Sequence, residues 1–414
     1  MKMRHNIAWI IAAGALLLAG CERDEFPQTP PTRSTMELLS FSGSFVEVEP
    51  WGTRAGEDEF HFDPGYTNHL PNGYKSYNEL HPSASPEDSN IGVFMTPGSI
   101  NPAGDFIYQG EEGTGSQRVS VWKSSIIVEQ DQQYYIYGFM PKDGAARATI
   151  APPAGADTSG PDEGYAAGAV IQIENFESLT TADVSVIVGL RWATEDEKIN
   201  GIPVNGSDVP LGHFAYKGRA EGENRLFVLL QHIYAGLHFA TKVDPTYNAL
   251  RTIRVTKVEL TAVGIKEKVN LTIELNANTT GTSPLTRVTY GQPATAASNK
   301  KITLYQKTDA PDDLGEVIPA DSFKDFLGCM VPGSTDNFIL TTTYDVYDKD
   351  TSVKPEGNLI RKDCVAENAI NPEIVEHFPN LQAGELFTIN LLIKPTYLYV
   401  LSDPDLDNPT ITIQ

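Results

Sequence analysis

Short runs in which apolar and polar residues alternate predict β-strands through most of this sequence. Lys268–Leu275 places an apolar side chain at every second position, as expected of a strand with one buried face. Phe338–Val346 and Phe387–Ile393 repeat that pattern, and Thr252–Val263 repeats it with one extra residue, which predicts a β-bulge. Gln133–Pro141 is bulky on both faces, as in a central strand. Further strands are predicted at or near 38–48, 119–122, 126–128, 168–173 and 183–190.

Helical periodicity is scarce, and only 320–328 and 366–377 are short amphipathic helix candidates. Many short strands separated by Gly, Pro, Asn and Asp predict an all-β protein built from β-sandwiches, and 414 residues suggest two of them. The polar segment Lys217–Asn224 lies between two apolar blocks and is the predicted boundary. The two domains are therefore expected to span residues 55–222 and 223–414.

The N-terminus carries the features of an export signal at residues 1–20. Lys2 and Arg4 precede the apolar run Ile7–Ala19, which is too short for a helix to cross a hydrocarbon layer of about 30 Å. The run ends in Leu18-Ala19-Gly20-Cys21, which resembles the bacterial lipobox. We therefore expect a lipoprotein tethered through acyl chains such as palmitate on Cys21, the alternative being an ordinary cleaved signal with a chance cysteine.

An acidic cluster at Glu22–Glu25 follows the lipobox. It resembles the export signal that sends Bacteroidetes lipoproteins to the outer face of the outer membrane, although a solvated spacer explains it equally well. The whole chain has 54 acidic and 31 basic residues, a net charge of −23 that disfavours nucleic acid as a partner. Cys329 and Cys364 are the remaining cysteines, and in an oxidising compartment they form a candidate disulfide or stay unpaired.

Motifs of the common enzyme classes are missing from the sequence. His232 and His238 lie beside a predicted buried strand, where core or rim positions are favoured over metal ligation. Asp403–Asn408 has the acidic spacing of a calcium loop but lacks its glycine and its final glutamate, which favours an acidic turn between two strands. We therefore expect no enzymatic activity, no cofactor and no metal.

An ordered set of segments resembles the fimbrillin family of Bacteroidales, the subunits of type V pili. The set includes the lipobox and Thr53-Arg54-Ala55. It also includes four longer stretches, which are spread over both halves of the chain. They are Tyr134–Pro141, Phe227–Phe239, Ile253–Leu260 and Leu381–Thr396.

The resemblance implies two tandem transthyretin-like β-sandwich domains and maturation by a trypsin-like protease. The matching cleavage site is the bond between Arg54 and Ala55, with Arg33 as an alternative that precedes the strand. Residues 21–54 would then be a lipidated linker with a propeptide strand. Removal of that strand opens a groove for a neighbour's strand, which is donor-strand exchange. The expected groove-filling side chains are Leu39, Phe41 and Phe45.

The same resemblance makes the C-terminus the donor strand, unless its strands fold back on their own domain. The expected donor residues are Tyr397, Tyr399, Leu401, Ile411 and Ile413.

The leading hypothesis is therefore an adhesive pilus subunit. It is delivered to the outer membrane surface and joined to identical or different subunits in a fimbrium. The alternative is an uncleaved anchor or a surface lipoprotein that binds glycan or protein through exposed aromatic residues. Trp51, Trp122 and Trp192 are the candidates, although Trp122 lies in a strand-like run and fits a core position better.

Overall fold

The computed structural model describes most of the chain downstream of residue 31, and every structural statement below concerns this part. The described residues are 32–40, 77–82, 87–96, 104–113, 119–145, 148–151, 169–194, 209, 212, 214–275, 286–291, 297–352, 354–374, 381–397 and 404–413.

Strands dominate these residues, which confirms the all-β class. The first twelve are β1 (Arg33–Leu39), β2 (Tyr77–Glu79), β3 (Ile91–Thr96), β4 (Gly104–Glu112), β5 (Val119–Glu129), β6 (Gln133–Met140), β7 (Ala148–Ala151), β8 (Ala169–Glu177), β9 (Leu179–Thr180), β10 (Ser185–Trp192), β11 (Ala215–Lys217) and β12 (Arg225–His232). The others are β13 (Ala235–Val243), β14 (Arg251–Lys266), β15 (Lys268–Leu275), β16 (Thr286–Tyr290), β17 (Ala297–Gln306), β18 (Glu316–Val317), β19 (Lys324–Met330), β20 (Phe338–Asp348), β21 (Leu359–Ile370), β22 (Leu386–Tyr397) and β23 (Pro404–Ile413). Helical structure in the described residues is limited to a 3-10 turn at Lys142–Ala145 and one α-helical turn, α1 (Pro245–Asn248).

The largest sheet closes on itself. Its strands run in the order β1-β5-β4-β3-β6-β10-β12, and β12 pairs back with β1, so that the sheet forms a barrel with β2 and β11 attached at its side. Apolar side chains that point inward fill it, among them Met36, Leu38, Phe106, Trp122 and Leu226. This closed sheet differs from the predicted sandwich. It closes because β1 pairs with β12, which lies far from β1 in the chain.

A second sheet, β16-β15-β8-β7, covers part of the outer face of the closed sheet. The core between them takes Tyr135, Tyr137 and Phe139 from β6, and Leu271 and Ile273 from β15. As expected of a central strand, β6 is therefore buried on both faces. Lys268–Leu275 has the predicted alternation, with every second side chain buried.

The C-terminal part is a sandwich of two five-stranded sheets. One has the order β23-β22-β13-β19-β9, and the other has the order β17-β14-β20-β21 with β18 paired to β14. The third hydrophobic core lies between them. The predicted bulge in β14 is present as a register shift between Val255 and Lys257 against β20.

The sheets do not follow the predicted boundary at residue 222. Strands β12, β15 and β16 come after that residue, yet they pair within the closed sheet and with β8. The polar segment Lys217–Asn224 is a connection between β11 and β12, which belong to one sheet, and not a linker between domains.

Both predicted helices are wrong. Residues 324–330 form β19 against β13, and residues 359–370 form β21 against β20. The acidic segment near the C-terminus is also not a turn throughout, because Asp405 and Asp407 lie in β23. In each case pairing with another strand overrides the local pattern.

Candidate assembly site

The strand β1 occupies a slot in the closed sheet with a hydrogen-bonded neighbour on each side. It runs antiparallel to β5, with Leu38 opposite Trp122, and parallel to β12, with Leu38 opposite Leu226. The register against β5 shifts between Thr35 and Glu37, and such an irregularity fixes one alignment of the strand. Removal of β1 would therefore leave two unpaired strand edges facing each other.

The side chains of β1 enter two cores. Met36 and Leu38 point into the closed sheet and are 0% and 1% exposed, whereas Leu39 points into the core beneath the second sheet. Burying one such side chain contributes about 1.5–3 kcal/mol, so the three together contribute roughly 5–9 kcal/mol to holding β1. The strand is thus a structural part of the sheet.

A buried polar network fixes the start of β1. The side-chain amide of Asn224 donates to Ser34 Oγ at 2.6 Å, and that hydroxyl donates to the carbonyl of Arg219 at 2.9 Å. The Tyr216 hydroxyl donates to Asn224 Oδ1, and burial raises the pKa of this phenol, which keeps it a protonated donor. Ser34 is 4% exposed, so this position accepts only a small hydroxyl group.

Charged side chains at the surface of β1 pair with both neighbours. Arg225 Nε donates to Glu37 Oε2 at 2.9 Å, and Lys123 Nζ lies 3.7 Å from Glu37 Oε1. Both cations also contact Glu112, at 3.6 and 3.4 Å. The first residue of the strand, Arg33, makes an exposed ion pair with Glu129.

The structure changes the extent of the predicted propeptide strand. The strand starts at Arg33 and not at Leu38, so it includes five residues that precede the predicted strand. Leu39 is buried in the strand as expected. Of the residues predicted for lipidation, cleavage and groove filling, those outside the described part of the chain are Cys21, Phe41, Phe45, Arg54 and Ala55.

Sequence reasoning missed Ser34, Met36, Glu37 and Leu38 as contacts in the slot. The alternation Ser34-Thr35-Met36-Glu37-Leu38 is the signal that identifies them. It was hidden by the Pro/Thr-rich residues immediately before it, which are typical of a linker.

The C-terminal strands form a hairpin on their own sandwich. β22 runs parallel to β13, and β23 pairs antiparallel with β22 as the edge strand of that sheet. Ile411 is 3% exposed and Ile413 is half-buried, while Tyr397 ends β22. Tyr399 and Leu401 lie outside the described residues. In this state both strands fold back on their own domain, and the outer edge of β23 has no strand beside it among the described residues.

The two described cysteines are free thiols in the structure. Cys329 lies in the core beneath the second sheet and Cys364 in the C-terminal sandwich, so the candidate disulfide is not formed in this state. Burial raises the pKa of the Cys329 thiol well above its ordinary value and makes it a poor nucleophile.

The two histidines contact carboxylates at buried positions. His232 Nδ1 is 2.6 Å from Asp183 Oδ2, and His238 Nε2 is 2.7 Å from Asp325 Oδ1. In the part of the chain that the structure describes, no three or more His, Cys, Asp or Glu side chains gather as a metal site. No helix within those residues has the length and apolar character needed to span a membrane.

Two of the three candidate aromatic residues can be placed. Trp122 is fully buried, as its strand-like surroundings predicted, and its indole N–H donates to the carbonyl of Ser89 at 2.6 Å. Trp192 is 44% exposed and stacks with the Arg219 guanidinium, 4.7 Å from the ring centre. Trp51 lies outside the described residues.

Among solved structures, the chain is similar to a candidate cell adhesion protein from Bacteroides fragilis. That pair is 10% identical with a TM-score of 0.39, and the alignment covers 92% of this chain and 97% of the other. For a fimbrial protein from Bacteroides vulgatus the identity is 13%, the TM-score 0.29 and the coverage 78% and 91%. For the fimbrial anchor protein Mfa2 from Porphyromonas gingivalis the values are 10%, 0.23, 92% and 97%.

No protein-family model matches the sequence, and no curated protein matches it. The solved structures carry the kind of description expected from the sequence resemblance to fimbrillins.

Proposed function

We propose that this chain is a structural subunit of an adhesive surface pilus, in which β1 is replaced by a strand from a neighbouring subunit. The observation that carries the proposal is the position of β1, the first strand of the described residues, held between β5 and β12 with side chains in two cores. A strand from another chain can supply the same backbone hydrogen bonds and apolar contacts, which is β-augmentation. The exchange leaves the number of paired strands unchanged.

Proteolysis would provide the trigger. Cleavage between Arg54 and Ala55 separates β1 from the rest of the polypeptide, whereas a cut after Arg33 leaves the whole strand in place apart from its first residue. After the cut, β1 is held only by its contacts in the slot, so a competing strand can displace it. Cys21 would then deliver the precursor to the outer membrane, and residues 21–54 would stay with the lipid.

The C-terminal hairpin is the proposed donor. β23 is an edge strand with apolar side chains at Ile411 and Ile413. Detaching it breaks the pairing with β22, the hydrogen bond from the Asn368 side chain to the Ile411 carbonyl, and the burial of Ile411. Its release into the corresponding slot of a neighbouring subunit of a different kind would extend a chain of subunits. The partners of this protein are therefore other pilus subunits, with the adhesion ligand still to be identified.

The uncleaved state suggests a second role. With β1 in its slot and β23 on its own sandwich, both strands are paired within one chain. An outer-membrane anchor or a binding lipoprotein would have the same arrangement. The exposed ring of Trp192, supported from one side by Arg219, is the described aromatic surface suited to a glycan or protein ligand.

Limited digestion of the folded precursor with a trypsin-like protease tests the leading role. We expect a new N-terminus at Ala55 and a ladder of oligomers in size-exclusion chromatography. The matched control is Arg54→Gln, which should remain monomeric with β1 attached. An Arg54–Ala55 bond that resists cleavage in a stable monomer would refute the pilus role and favour the anchor.

A further inference from the structure

Glu37 is the only acidic side chain on β1, and it lies directly across from a cation on each neighbouring strand. Its register partner on β5 is Lys123 and its register partner on β12 is Arg225. The two carboxylate oxygens are divided between them, at 3.7 Å from Lys123 Nζ and 2.9 Å from Arg225 Nε. One carboxylate therefore joins three strands of the sheet.

Loss of β1 would leave an unbalanced charge in the slot. With Glu37 present, two cations face two carboxylates, because Glu112 contacts both Lys123 and Arg225. Without it, Glu112 is the one carboxylate among the described residues that pairs with both cations. The Glu37 and Arg225 side chains are 22% and 26% exposed, whereas those of Lys123 and Glu112 are 49% and 48% exposed. Solvent therefore screens the charge of Lys123 more than that of Arg225.

The Ser34 position imposes a second requirement, three residues before Glu37. The side-chain amide of Asn224 and the carbonyl of Arg219 both bond to the Ser34 hydroxyl. A large side chain would displace this network, and an apolar one would leave its polar groups with fewer partners.

We infer that the slot selects a strand with a small hydroxyl residue, then an apolar, an acidic and an apolar residue, spaced as Ser34, Met36, Glu37 and Leu38. This inference rests on the proposed function and names the partner of that same site. The occupant is a strand from a different kind of subunit, and the carboxylate opposite Lys123 and Arg225 sets its register. Interfacial charges of this kind determine specificity more than total affinity.

The chain's own C-terminal strand does not satisfy these requirements. If Ile411 and Ile413 take the places of Met36 and Leu38 in the same direction, Thr412 falls opposite the two cations. In that alignment Pro409 falls at Ser34, which is paired with Val128 of β5, and a residue without an N–H weakens pairing there. With Asp405 or Asp407 in the place of Glu37 instead, Pro404 falls at Met36 or at Ser34, so these alignments also put a proline in the strand. A second copy of β23 is therefore a poor match to this slot, which favours a strand from a different kind of subunit.

Strand exchange in the full chain tests the inference. A site-specific protease sequence is placed at residues 52–56, the folded protein is cut there, and β1 stays in its slot without a covalent link. Fluorescent peptides with the sequence of residues 30–41 are then added, and their binding is followed by anisotropy. The set contains the natural peptide, Glu37→Gln, and a Thr35→Glu/Glu37→Thr peptide of unchanged net charge.

We expect the natural peptide to bind at least about fivefold more tightly than both variants at low salt. The difference should shrink as the ionic strength rises towards about 1 M. In a Lys123→Gln/Arg225→Gln protein the natural and Glu37→Gln peptides should bind alike. A peptide of residues 403–414 should compete poorly.

The possible failures can be distinguished. Equal binding of all the peptides, or effective competition by residues 403–414, would overturn the inference and leave strand exchange intact. If no peptide enters the slot while the cut chain remains folded, the proposed function itself fails, and the inference fails with it.

Discussion

Leu38→Ala is the substitution that tests the position of β1 most directly. Leu38 is 1% exposed and lies between Trp122 on β5 and Leu226 on β12. Truncation of a buried leucine costs about 2–5 kcal/mol through lost apolar burial and the cavity that remains. Because neighbours on both sides enclose this side chain, we expect a loss of about 3 kcal/mol in the free energy of unfolding.

Urea unfolding monitored by the fluorescence of Trp122 measures this loss. The indole is fully buried in the same core, and the other tryptophans are changed to Phe so that it reports alone. With a slope of about 3 kcal/mol per molar urea, the midpoint should fall by about 1 M. The control is Thr35→Ala on the exposed face of the same strand, which should change stability by less than about 0.5 kcal/mol. If both variants unfold at the midpoint of the parent, β1 does not occupy the slot.

Three further predictions concern polar and titratable groups. Asn224→Ala should cost about 2 kcal/mol in the same urea assay, because buried partners lose their hydrogen bonds, and an unchanged midpoint would contradict the network. Burial alone raises the pKa of Glu177, but Lys300 and Lys268 outweigh it and hold that pKa below 4.5. This carboxylate therefore contributes stability above about pH 4.5 that is lost as the pH falls through its folded pKa. Urea midpoints should consequently drop less steeply on acidification in Lys300→Gln, and an identical pH profile would refute the pairing. Iodoacetamide should modify Cys329 only after unfolding, whereas labelling in the native protein, or an intact mass lacking two hydrogens, would contradict the buried free thiol.

The sequence predicts well those strands that bury one face in a core and expose the other face to solvent. Lys268–Leu275 and Phe338–Val346 alternate strictly because each covers a core with every second side chain. The bulge in β14 is also visible in the sequence, since an extra residue reverses the phase of the apolar positions.

The two wrongly predicted helices show where the local sequence pattern no longer indicates the secondary structure. In 366–377, Ala366, Ala369 and Ile370 have helical spacing, yet they lie on a strand whose side chains are mostly exposed. Pairing with β20 determines their conformation, and no short window of sequence contains that partner. The same holds for 320–328, whose second half is held by β13.

Only half of the candidate site follows from the sequence. The apolar positions of β1 can be obtained from alternation once the strand is taken to begin at Arg33. Its partners cannot, because Asn224 lies 190 residues after Ser34 and Arg225 lies 188 residues after Glu37. Sheet closure is a long-range event, and for the same reason the sequence does not reveal that strands on both sides of residue 222 pair in one sheet.

This long-range closure sets the order in which the protein can fold. When a chain emerges from its N-terminus first, β1 appears early, but its parallel neighbour β12 follows almost 190 residues later. Loops of that length close slowly, and non-local strand pairing delays folding. The barrel therefore stays open until most of the polypeptide is present. Topology alone therefore delays closure of the barrel until residues 225–232 are present.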